Sequence, residues 1–102
     1  MFEKINFERG KIVYNDFQIN KDKPLEEHFD SLKEDLFQVN FDEKYLIDVG
    51  WFPSFSEDGR FQIVVIKDFE WENPILKKSC RTFHQLEDYM LECVVIVSSN
   101  LV

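Results

Sequence analysis

Three glycines, three prolines, two cysteines and two histidines are few for a chain of 102 residues, and each shortage removes a class of explanation. So little glycine and proline leaves no flexible linker, and residues 1–102 read as a single domain. No segment repeats another and none is low in complexity. Two cysteines, Cys80 and Cys93, do not make the disulfide framework of a small secreted scaffold. His28 and His84 have no cysteine pair beside them and no HxxxH spacing, so no metal-ligand set is spelled out. Neither common glycine-rich phosphate loop occurs. No apolar run approaches the roughly 20 residues that cross a bilayer, and no charged-then-apolar leader opens the chain. These absences lead to the expectation of a cytoplasmic protein without cofactor or membrane contact.

Positive charge is also scarce. Twelve Lys and Arg face 20 Asp and Glu, for a net charge of −8. Phosphate backbones repel such a surface, so direct nucleic-acid binding is not expected. A basic protein would be attracted, and attracted quickly. Solubility alone also produces acidic surfaces, so the charge by itself leaves both readings open.

Apolar material is plentiful. The 44% hydrophobic content is enough for a core at this length without staples. Eleven phenylalanines accompany it. Most belong in that core, and any left at the surface would mark a contact site.

The centre of the sequence is the stretch from Tyr45 to Ile66. Tyr45, Ile47, Val49 and Trp51 share one parity, as do Phe61, Ile63 and Val65, which predicts two paired strands with a common buried face. Pro53 ends the first strand, since it cannot donate to a ladder. Asp58-Gly59 supplies the turn, where glycine would accept a positive φ. Val64 and Ile66 make the second strand apolar on both faces, as a central strand partly covered on its second side would be.

Around this pair the rest is arranged. Residues 2–9 and 11–19 read as a hairpin with Arg9-Gly10 in the turn. Val13, Phe17 and Ile19 share one face, while Ile12 and Tyr14 offer a competing one. Pro24 suits a first helical position, and Leu25, Phe29, Leu32 and Leu36 recur at helical spacing, which predicts a helix over 24–38. Its opposite side carries Glu27, Asp30, Glu34 and Asp35. Asn40-Phe41-Asp42-Glu43 connects it to the central pair. The acidic, aromatic stretch Asp68-Phe69-Glu70-Trp71-Glu72 runs to Pro74, and a strand follows over 75–80. Thr82 and Gln85 have capping-box spacing, and Leu86, Met90, Cys93, Val94 and Val97 form one stripe, predicting a helix over 83–99. The β-branched run Val94-Val95-Ile96-Val97 would also suit a strand; cap and stripe together favour the helix. The expected fold is α+β, with an antiparallel sheet of about five strands (a hairpin, then a three-strand meander). Two helices pack on one face, in the order β-β-α-β-β-β-α.

Candidate chemistry is thin. Cys80 and His84 are the one nucleophile-and-base pairing, four residues apart across a strand-to-helix junction, without a glycine-rich oxyanion loop. Asp48 sits mid-strand facing away from the core, where it would look at solvent, bond a neighbouring strand or meet a partner. Trp51 belongs to the core. Trp71, between acids in a loop, is either an exposed anchor or a cap folded over the sheet edge.

Three segments carry a resemblance: Asp48-Val49-Gly50-Trp51-Phe52-Pro53, Asp58-Gly59-Arg60-Phe61 and Trp71-Glu72-Asn73-Pro74-Ile75. Over residues 45–81, about a third of the chain, the sequence resembles small bacterial immunity proteins. These accompany polymorphic toxins, including those of contact-dependent growth inhibition. The resemblance implies a non-enzymatic inhibitor that binds one cognate toxin domain. Many such toxins are nucleases with basic grooves, which an acidic inhibitor can occupy. Because such pairs diversify at their interface, no contact residue carries over. The expected partner-binding residues come from charge and position: Asp30, Glu34 and Asp35; Asp42 and Glu43; and Asp68, Glu70, Trp71 and Glu72. Two rivals stand beside this expectation. One is a housekeeping adaptor or oligomer subunit whose acidity is only solvation; the other is a small hydrolase using Asp48 or Cys80.

Overall fold

Alternation of apolar side chains builds the sheet. In the computed structural model, which describes residues 1–101, five antiparallel strands lie in sequence order. They are β1 (Lys11–Asn15), β2 (Phe37–Phe41), β3 (Tyr45–Phe52), β4 (Arg60–Lys67) and β5 (Leu76–Cys80). A 3-10 helix, Leu25–Ser31, lies between β1 and β2, and one α-helix, α1 (Phe83–Asn100), follows β5. This is the α+β architecture expected, with five strands and two helical elements.

Inner residues of β3 and β4 pair directly, Ile47 with Val65, Val49 with Ile63 and Trp51 with Phe61. All are buried in one core with Val39 and Phe41 of β2 and with Leu86, Met90, Cys93 and Val97 of α1. The 3-10 helix joins the same face: Phe29 lies 6.0 Å from Trp51, and His28 meets Phe83 edge-on. Residues 94–97 are helical, and one half of the predicted capping box forms, with the Gln85 amide donating to Thr82 Oγ1 at 3.1 Å, while the Gln85 side chain makes no bond to the Thr82 amide among the described residues. The Thr82 hydroxyl turns to Gln85 Oε1 at 3.3 Å.

The element order differs from expectation in the first 40 residues. Residues 2–9 form no strand. Met1, Phe2 and Phe7 sink into the core, an unequal spacing that a strand cannot satisfy, and Phe2 packs against Phe17 and Phe37. The helix predicted over 24–38 stops at Ser31. Beyond it the backbone is extended, because the far end of β3 needs partners: Trp51 donates to the Lys33 carbonyl at 2.8 Å and Leu36 donates to Val49 at 3.1 Å. Phe37-Gln38-Val39-Asn40-Phe41 then alternates buried and half-buried as β2, and the hairpin partner of β1 is this strand.

Gly59 also differs. No glycine has a positive φ. The position needs glycine because a Cβ would run into the indole of Trp51, as one on Gly50 would run into the Glu34 carbonyl oxygen. Among the described residues, no helix is long and apolar enough to cross a membrane.

Candidate partner-binding surface

Two tight turns create one end of the sheet. Between β2 and β3, Lys44 donates to the Phe41 carbonyl at 3.0 Å, with Asp42 and Glu43 both left-handed at φ 57° and 59°. After β4, Glu70 donates to Lys67 at 3.1 Å, with Asp68 and Phe69 left-handed at 54° and 60°. This turn geometry matches the twist of antiparallel strands and is ordinarily supplied by Asn-Gly or Asp-Gly. Here it is held by non-glycine residues; aspartate tolerates the left-handed region, whereas Glu43 and Phe69 adopt it at a conformational cost of about 1–2 kcal/mol each. Strain retained in this way is a recurring mark of functional segments. The turns lie side by side, since the Asp68 amide donates to the Lys44 carbonyl at 2.8 Å.

This arrangement brings together Asp42, Glu43, Asp68, Glu70, Trp71 and Glu72, six of the nine residues expected at an interface. Phe69 stands among them, 57% exposed, and Trp71 is 49% exposed. Sequence reasoning passed over Phe69, because Asp68 is followed by an aromatic residue where this turn ordinarily has glycine. Asp42 pairs with Arg9. Glu43, Asp68, Glu70 and Glu72 form no ion pair among the described residues. Lys44 and Lys67 are the basic residues interleaved with them.

The other three lie toward the opposite end of β3, six residues and about 20 Å along the strand. Asp30 is on the 3-10 helix near the Lys33–Asp16 ion pair. Glu34 and Asp35 belong to the extended segment, where the Glu34 amide donates to Ser54 Oγ at 2.9 Å. They are therefore not on a common helix face.

The outer face of the sheet runs between the two groups. Strand register sets Tyr14, Gln38, Asp48, Val64 and Lys77 in one row across all five strands. Asp48 Oδ1 accepts a 2.8 Å hydrogen bond from Gln38 Nε2. Burial pushes the Asp48 carboxyl above the ordinary range; the Gln38 bond opposes this and the neighbouring Asp35 charge adds to it. After Glu70 the chain folds back, Asn73 donating to Glu70 and Ile75 to Val65. Trp71 and Glu72 thereby wall a cleft of about 260 Å³ that has Asp48, Val64 and Ile66 along the sheet and Lys77 on its β5 side. Trp71 is thus both exposed and folded over the sheet.

The nucleophile pairing is not assembled. Cys80 is buried, its thiol pushed up by burial, and its Sγ reaches the Thr82 carbonyl at 3.8 Å. His84 is exposed beside Asp88. Among the described residues, no three His, Cys, Asp or Glu side chains converge as metal ligands would. On the opposite layer, α1 leaves Leu91, Val95 and Ile96 exposed along a shallow groove.

Compared with protein-family models, with curated proteins and with solved structures, the chain gives no match.

Proposed function

We propose that this protein is a non-catalytic immunity protein that neutralises a basic toxin domain, a nuclease in the first instance, inside the cytoplasm. One observation carries the reading. Four carboxylates that form no ion pair among the described residues, Glu43, Asp68, Glu70 and Glu72, stand beside exposed Phe69 and Trp71 at two abutting left-handed turns. Free carboxylates steer a basic partner and raise its association rate, while desolvated aromatic anchors slow its release. The resemblance over residues 45–81 points the same way. Asp30, Glu34 and Asp35 form a second acidic group, which a large partner would reach across the outer face of the sheet.

The test is co-expression with the product of the adjacent upstream gene, then co-purification and titration at two salt concentrations. The expected result is a one-to-one complex that salt weakens and that protects cells from the toxin. Trp71→Ala should cost at least about 2 kcal/mol of binding, the scale of a true anchor. Glu70→Gln should act mainly on the association rate and its salt dependence. Failure to form a complex, with cells still dying, would remove this reading.

The exposed Leu91, Val95 and Ile96 on α1 favour one alternative, an oligomer subunit whose acidity is only solvation. Sedimentation equilibrium of the wild type and Val95→Glu separates the two readings. A stable oligomer abolished by that change would support the alternative.

A further inference from the structure

The cleft on the outer sheet face has the composition of a receptor for one long cationic side chain. Its sheet side offers the half-buried Asp48 carboxylate and the apolar surface of half-buried Val64, with Ile66 buried in its floor, and its loop wall offers Glu72 and the indole of Trp71. Neither carboxylate has a cationic partner among the described residues, nor does Lys77 have an anionic one. Asp48 uses Oδ1 for Gln38, and Oδ2 makes no hydrogen bond among the described residues. Val64 stands between Asp48 and Lys77 in the register, so the two backbones are about 10 Å apart at ordinary strand spacing. This separation leaves room between them.

We infer that the cleft between Asp48 and the Trp71-Glu72 wall receives an arginine side chain of the basic protein partner. Its guanidinium would be held by the two carboxylates and stacked on Trp71, and its aliphatic stem would lie on Val64. Arginine fits better than lysine for two reasons. Its planar fork can bond two carboxylates at once, and it is more weakly hydrated, so stacking on an indole costs less desolvation. Lys77 opposes any cation in the cleft and therefore limits affinity. A partly dehydrated carboxylate gains more from an arriving cation than a fully solvated one does. This inference rests on the reading that the protein binds a basic partner, but its test does not require that partner.

The probe is N-acetyl-arginine amide, titrated against the ¹⁵N-labelled protein, with the neutral citrulline analogue and the acidic N-acetyl-glutamate amide as controls. The expected result is saturable shifts of the Trp71 indole and the Gln38 side-chain amide with the arginine probe alone. Asp48→Asn, which keeps an oxygen for Gln38, should weaken the probe at least about tenfold, the scale of one lost charge-assisted hydrogen bond. Lys77→Ala should strengthen it, and effects of opposite sign from two folded variants are hard to produce by general damage. Three outcomes overturn the inference: no saturable shift, equal binding of the citrulline analogue, or preference for the glutamate probe. The partner reading is judged separately. If Trp71→Ala and Glu70→Gln disturb the toxin complex while the arginine probe ignores the cleft, the acidic surface stands and the pocket assignment fails.

Discussion

Gln38 Nε2 donates to Asp48 Oδ1 at 2.8 Å across the β2–β3 pair, the one side-chain hydrogen bond that this carboxylate makes among the described residues. The bond does not fully offset burial, which disfavours the charged carboxylate and raises its pKa in the folded protein. Stability must then fall as pH rises from the ordinary carboxyl value, about 3.9, through the raised one. The penalty is absent below this window and complete above it. Asp48→Asn should therefore melt above the wild type at neutral pH and level with it below about pH 3. The gain should stay under about 1 kcal/mol, because the site is partly open to screening water. Thermal melts at the two pH values check this, and an equal gain at both would remove the desolvation account.

Phe69 offers a test of strain against function. Held at φ 60° and 57% exposed, it gives up little packing when replaced. Glycine relieves a left-handed penalty of about 1–2 kcal/mol and adds roughly 0.5–1 kcal/mol of unfolded-state entropy. Phe69→Gly should thus be neutral to about 1 kcal/mol more stable by urea midpoint, with an unchanged m-value. In the same variant, affinity for a basic partner of the kind proposed above should drop by tenfold or more, roughly the scale of a lost interface aromatic. A variant that loses stability would show that the turn is not strained. One that keeps full affinity would take Phe69 out of the interface.

Legibility in the sequence followed the reach of the forces involved. Tyr45 to Ile66 was readable because period-two alternation and Pro53 act locally, and α1 because Thr82, Gln85 and the Leu86–Val97 stripe agree. Phe37, Val39 and Phe41 alternate just as clearly. However, Leu25, Phe29, Leu32 and Leu36 run directly into them with helical spacing, and local pattern cannot fix where one ends and the other begins. The choice is tertiary, made where Lys33 and Leu36 bond to β3. The acidic loops were visible as composition. That Asp68 bonds Lys44, and that Trp71 and Asp48 line one cleft, depends on register and on left-handed turns lacking glycine, which local pattern does not announce.

Cys93 lies on the buried stripe of α1, and burial pushes its thiol up to about 12. Cys80 is buried as well, with its thiol also raised. The thiolate is the reactive form, so neither cysteine should react with a disulfide reagent in the native state at neutral pH. Both should react on unfolding, at a rate that tracks the denaturant transition. Fast native labelling of one cysteine would mark a local opening of the β5–α1 corner.

Thr82 accepts the Gln85 amide at 3.1 Å and caps a helix with no acidic residue in its first turn. Few other groups there can meet the positive end of the helix dipole. Thr82→Ala should cost about 1 kcal/mol, and Thr82→Asp should recover most of that loss. Chemical denaturation of the three forms checks the order. Equal midpoints would mean that the Thr82 hydroxyl contributes nothing as a cap.

Gly50 and Gly59 each fill a place that a methyl group cannot enter, but the obstacles differ. At Gly59 the obstacle is the Trp51 indole, which donates to the Ser56 carbonyl at 2.9 Å and lies under the Arg81 guanidinium at 5.4 Å. Phe61 packs edge-on at 4.9 Å. The ring has little room to retreat, so Gly59→Ala should cost about 1–3 kcal/mol, the usual range for overpacking. At Gly50 the obstacle is the Glu34 carbonyl, which is backbone. Relief there requires pulling residues 33–36 off β3 and losing the Trp51–Lys33 and Leu36–Val49 hydrogen bonds. Gly50→Ala should therefore be the worse of the two, above about 3 kcal/mol, because overpacking and unmade buried bonds add. It should also move Asp35 away from Asp48 and lower the carboxyl that Asp35 helps to raise. Urea midpoints with the Asp48 titration followed by NMR test both parts. A Gly50→Ala protein as stable as the wild type would show that residues 33–36 do not dock on β3, and the Asp35–Asp48 proximity would go with them.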